Sequence, residues 1–187
     1  MRIIIGAGET SQEGWLSTQE EQLNVLDKRS FDWISEPVDA FLCEHVWEHM
    51  TLEQGIEAAR NCYNVLKPGG YIRCAVPDVN FRNEWYQNMV QVGGPGPEDH
   101  PAFSHKIVYD YMNLKYVFEQ AGFVVELLEY CDEQGNFHYK DWSINEGRIG
   151  RSFKYDTRNS KAKLGMVSII IDAKKERVIS YEQYGKS

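Results

Sequence analysis

Arg2-Ile3-Ile4-Ile5 runs directly into Gly6-Ala7-Gly8. An unbroken β-branched run has no polar face, so it makes a stable strand only where both faces of its sheet are covered. Similar apolar runs recur at 38–43, 71–76, 123–130 and 166–173. Shorter candidates lie at 15–18 and at 23–26, the latter ending at Asp27. Between them, 51–66 carries Ile56, Ala59, Cys62, Tyr63 and Leu66 at helical spacing, with Thr51 suited to its start and Lys67-Pro68-Gly69-Gly70 to its end. Helices are also expected within 81–92 and over 105–121. Strands alternating with helices predict an α/β sheet. The two last strands are separated by an excursion, 131–164, with no clear helix, which predicts an antiparallel pair at one edge. One domain over 1–173 with a loosely held tail, 174–187, completes this reading.

Composition narrows the function. The net charge of −8 argues against a general nucleic-acid surface. Basic groups nevertheless gather between Arg148 and Lys163, interleaved with aromatics. The four cysteines form no C-x-x-C pair and read as free thiols. Met1 leads straight into the first strand without a charged and apolar leader, and no window is long and apolar enough to span a membrane, so the expected location is cytoplasmic.

The segment Cys43-Glu44-His45-Val46-Trp47-Glu48-His49-Met50 contains the H-x-x-E-H string of inverted zinc peptidases. A peptidase of that kind takes both histidines from one continuous helix and a further ligand from a later one. Here an apolar strand precedes the string, which puts His45 in a turn. The reading is therefore that no metal is held and that His49 is a core histidine; a zinc hydrolase using His45, Glu48 and His49 is the least favoured alternative.

Taken together, the glycine turn, "LNVLD", "VDAFLCEHVWEHM" and "NVLKPGGYIRCAVPD" occur in an order that resembles class I S-adenosylmethionine-dependent methyltransferases. The likeness is greatest to a small bacterial group with "GW" soon after the first glycines, and it extends through "AGF", "ELLEY" and "FHYKDW" to about residue 173. It implies a Rossmann-like sheet, mostly parallel with an antiparallel edge pair. The sheet is minimal, because only a few residues separate Gly8 from Trp15 and the usual first helix is shortened or missing.

The resemblance also implies S-adenosylmethionine as cofactor. Gly6, Ala7 and Gly8 would flank its methionine part, Glu20 or Glu21 would take the ribose, Asp27 and the Leu26 backbone the adenine, and Cys43 and Glu44 the amino group. The family more often has Asp where this chain has Gln19. For the transfer itself, Asp78, His105 and His45 are the candidate bases, with Tyr109 and His138 behind them. The acceptor is unidentified; the basic excursion suits an anionic one, or a homodimer contact. A fold of this kind that has lost catalysis and serves as a binding or regulatory module is the alternative.

Overall fold

In the computed structural model, residues 1–160 and 162–177 are described. Among these residues seven strands form one sheet: β1 Arg2–Ile5, β2 Leu16–Ser17, β3 Val38–Glu44, β4 Leu66–Val76, β5 Val124–Cys131, β6 Phe137–Tyr139 and β7 Ile169–Lys174. Their order is β2-β1-β3-β4-β7-β5-β6. β2, β1, β3 and β4 are mutually parallel, whereas β7 is antiparallel to both β4 and β5. The Rossmann-like expectation holds. The antiparallel strands are placed more deeply than a simple edge pair, because β7 inserts between β4 and β5 and the outermost strand is β6, taken from the excursion. Part of the expected tail, 178–187, lies outside the described residues, and Lys174 belongs to β7.

Helix α1, Leu52–Val65, begins at Thr51 with a reciprocal cap: Thr51 Oγ1 accepts from Gln54 N and Gln54 Oε1 accepts from Thr51 N. The strand that follows starts at Leu66, one residue past the helix. Lys67-Pro68-Gly69-Gly70 is accommodated as an irregularity in the pairing of β3 with β4, between Val38 opposite Leu66 and Ala40 opposite Tyr71. Helix α2 is short, Glu84–Val90, and α3 is Tyr111–Gln120.

Two expected elements take other forms. Residues 23–26 are irregular, with a turn at 25–26: Asn24 Oδ1 accepts from Leu26 N, and Leu23 and Val25 alternate inward without pairing. The expected helix from 105 starts only at Tyr111, capped by Asp110, whose side chain accepts from Asn113 N. Upstream, Lys106 N and Ile107 N donate to the Glu48 carbonyl and Tyr109 bridges Asp78, so the backbone hydrogen bonds that a helix needs are spent elsewhere.

The two sheet faces are covered differently. Ile3, Ile5, Phe41, Cys43, Ile72, Cys74, Ile169 and Ile171 meet α1 and α3 through Ala58, Ala59, Cys62, Leu114, Val117 and Phe118. On the other face Ile4, Leu42, Ala75 and Ile170 meet Trp142 and Ile149 of the excursion. Among the described residues no helix lies between β1 and β2. Chain from 140–155 therefore covers part of the sheet with little regular structure of its own. It is held by buried polar groups. Arg73 Nη1 donates to the carbonyls of Ser143 and Gly147, Glu129 accepts from Trp142 Nε1 and Phe153 N, and Glu44 accepts from Gly150 N and Arg151 N.

The four cysteines are buried and free. Among the described residues no helix is long and apolar enough to cross a membrane.

Candidate functional site

β1 and β3 are adjacent parallel strands from which the order runs outward in opposite directions, and open sheets of this type bind ligands at the carboxyl ends of such strands. Two adjoining clefts open there, of about 620 and 470 Å³. The smaller is mainly apolar, with Leu23, Val25, Leu26, Val46 and Met50, and has Glu20 and Asn24 at its side. The larger is lined by the glycine turn, Glu44, Glu48 and His105, with Arg151 and Arg158 reaching in from the excursion. Ile5, Gly6, His45 and His49 line both.

Gly6 and Gly8 have φ of 58° and 54°, the left-handed region that glycine enters without strain. A Cβ on Gly6 would fall 2.8 Å from Val46 Cγ2, whereas one on Gly8 would meet no protein atom within 4 Å, since Gly8 fronts the larger cleft. The turn is tied to the end of β2 by Gln19, whose Oε1 accepts from Gly8 N and whose Nε2 donates to Gly8 O. A carboxylate can only accept, so Gln19 makes a clamp that Asp could not.

His45 follows β3 with φ 58°, the one non-glycine residue at positive φ among the described residues. Backbone strain of this size costs about 1–2 kcal/mol, so the turn must be held by its surroundings. His45 N donates to the Ala75 carbonyl and His45 Nε2 lies 3.1 Å from Ser168 Oγ. The 3-10 turn Trp47–His49 follows. Trp47 is fully buried, donates from Nε1 to the Gly55 carbonyl and packs on Phe118, which fixes the turn beneath α1 and α3.

This anchoring drives Glu48 inward. Its side chain is fully buried and neither carboxylate oxygen has a hydrogen-bond partner among the described residues. Burial pushes its pKa up to about 8. His45 Nδ1 is 3.4 Å and His105 Nε2 3.9 Å from Glu48 Oε1. Burial also holds all three histidines, His45, His49 and His105, below the ordinary imidazole range. His49 and His105 meet edge to face at 4.8 Å.

The sequence-predicted residues divide. Gly6, Ala7, Gly8, Glu44, His45 and His105 line the larger cleft, and Glu20 and Leu26 the smaller. The Leu26 N–H is already given to Asn24 Oδ1, which leaves its side chain as the contact. Asp27 lines neither cleft: it caps the 3-10 turn Lys28–Phe31 and is held by Arg29. Cys43 is buried within the sheet, its thiol directed to the Arg73 carbonyl. Asp78 also lies away from both clefts. Its carboxylate accepts from Asn80 N and Cys131 N and so joins the ends of β4 and β5; burial, outweighing these hydrogen bonds, raises its pKa to about 6. Tyr109 is fully buried, and His138, on the outermost strand β6, pairs with Asp132.

Glu48, His49, Arg151 and Arg158 are cleft residues that the resemblance did not assign. The H-x-x-E-H string was the visible signal for the first two, and the basic interleaving of the excursion for the others.

A family model described as "Methyltransferase domain" matches residues 10–74. Among curated proteins none matches this sequence. A solved S-adenosylmethionine-dependent methyltransferase from Archaeoglobus fulgidus superposes with a TM-score of 0.52 at 18% identity, covering 93% of this chain and 86% of its own. An O-methyltransferase family protein from Burkholderia thailandensis gives a TM-score of 0.50 at 11% identity, over 88% of this chain and 37% of its own. At such identities the likeness speaks for the fold. The resemblance seen in the sequence thus holds in the fold throughout and in the family match for its first part.

Proposed function

We propose that this chain, built on the class I methyltransferase fold, transfers a methyl group from S-adenosylmethionine to an acceptor bound in the larger cleft. The observation that carries this reading is the junction of the two clefts at Gly6, His45 and His49. A donor in one cleft and an acceptor in the other would meet there, and such placement supplies most of what a methyl transfer requires. The cofactor contributes a methyl group already activated on a sulfonium.

The residues present fit that cofactor. Leu23, Leu26 and Met50 offer an apolar slot for a flat base, Glu20 an acceptor for sugar hydroxyls, and Gly8 an open approach. In the larger cleft Arg151 and Arg158 favour an anionic acceptor, because a guanidinium matches carboxylate and phosphate geometry. His45 is the base within that cleft and replaces Asp78 in this role.

A binding module without catalysis is the second reading. It draws on the Gln19 clamp, which occupies both backbone groups of Gly8. Calorimetric titration with S-adenosylmethionine and S-adenosylhomocysteine separates the two. Saturable binding is expected, abolished in Gly8→Val, which should melt somewhat lower because a side chain at φ 54° is strained but should still fold. Absence of binding by the folded wild type would leave only the module reading.

A further inference from the structure

We propose that Glu48, His49 and His105 form a divalent-metal site in the wall of the larger cleft. This departs from the sequence reading, in which no metal was expected. The third ligand that reading lacked comes from the loop before α3, brought in by the backbone bonds of Lys106 and Ile107 to the Glu48 carbonyl.

The ligand atoms of the three residues lie within 4.8 Å of one another. Metal bonds of about 2.0–2.2 Å place ligand atoms up to about 4 Å apart, so small side-chain rotations close the site. The second observation is Glu48 itself, fully buried with two orphaned oxygens. A buried polar group without partners is destabilising, and its persistence calls for an occupant.

The hydrogen bonding of the histidines points the same way. His105 Nδ1 is 2.8 Å from the Val90 carbonyl, which can only accept. Nδ1 therefore carries the proton, and Nε2 turns a lone pair toward Glu48. That lone pair faces the Glu48 carboxyl at 3.9 Å with no hydrogen bond between them, and a cation that displaces the carboxyl proton would be held by both. His49 Nδ1 is likewise held, at 2.7 Å from Ser104 Oγ. Remote ring nitrogens tied in this way are the usual support of metal-bound histidines.

Two imidazoles and one carboxylate suit zinc and its neighbours better than magnesium or calcium. Three protein ligands leave a position open toward the cleft. Where it rests on the proposed methyl transfer, the inference assigns that position to an oxygen of the acceptor.

Cobalt(II) replaces zinc in such sites and reports through its visible absorption. Chelator-stripped protein titrated with cobalt(II) is expected to take up one equivalent. His49→Ala and His105→Ala should each weaken uptake by on the order of 100-fold or more, since losing even a group that supports a ligand costs about 10–100-fold, with melts showing folded protein. Glu48→Gln, which keeps the side-chain shape, should weaken it too. No uptake by folded wild type, or equal uptake by the folded Glu48→Gln or histidine variants, overturns the site. The readout requires no cofactor. Cobalt failing while S-adenosylmethionine binds removes the metal alone, and the converse removes the transferase reading alone.

Discussion

Arg73 and Glu48 are both charged residues with fully buried side chains, and they are treated in opposite ways. Arg73 lies opposite Asp172 in the β4–β7 pairing and donates to both of its carboxylate oxygens at 2.8 Å. Its remaining donors reach the Ser143 and Gly147 carbonyls, and its guanidinium lies over the Trp142 ring. Glu48, in the 3-10 turn that follows β3, has neither oxygen bonded. A buried polar group with four hydrogen bonds is a fastener. One with none is a vacancy in the hydrogen-bond network, and it stands at the cleft.

The comparison can be broken most severely at Arg73. Arg73→Met would strand Asp172 and two carbonyls and release the excursion from the sheet. A loss of about 3–5 kcal/mol is expected, the scale of removing one partner from a buried pair, measured by urea unfolding. A loss below about 1 kcal/mol would show that the excursion is not held there.

Asp78 lies between the extremes, buried yet bonded to two backbone N–H groups. Its folded pKa of about 6 stands above its ordinary value of 3.8. The fold thus favours the protonated form, so this group's contribution is full below pH 3.8 and is lost as pH rises through about 6. Asp78→Asn removes that dependence. Relative to wild type, the variant should gain up to about 3 kcal/mol between about pH 4 and 7, read from denaturation at each pH. A constant difference would contradict it.

Glu48→Gln sharpens the contrast with the smallest effect. In chelator-treated protein near neutral pH it replaces one neutral, unbonded group by another of the same shape. Stability should change by less than about 1 kcal/mol. A loss comparable to that of Arg73→Met would mark Glu48 as structural.

The sequence was most legible where structure is local. The apolar runs found their strands, and Thr51 with Gln54 formed the cap that their spacing suggested. It misled where distant partners decide. The 23–26 run buries its apolar residues from irregular chain, and 105–110 spends its backbone bonds on the Glu48 carbonyl and the Val79 N–H. The candidate site was half visible for the same reason. The glycine turn, Glu44 and His45 follow from their place after strands. The burial of Glu48, the approach of His105 and the arrival of Arg151 depend on contacts that cross the chain; Arg151 N and the Glu44 carboxylate it bonds are 107 residues apart. No local periodicity records such a pairing.

The insertion of β7 between β4 and β5 bears on how the molecule is made. β5 and β6 are synthesised before β7, yet they gain a place beside β4 only through it. The sheet is therefore completed out of chain order. Its earlier half can pair as it emerges, while β4 keeps an unpaired edge until a strand nearly a hundred residues later arrives. Such non-local closure is slow and leaves an edge open to other chains in the meantime. The vulnerable moment of this protein is the wait for its last described strand, and a helper that shields the β4 edge during synthesis would raise the yield of native molecules without changing their final stability.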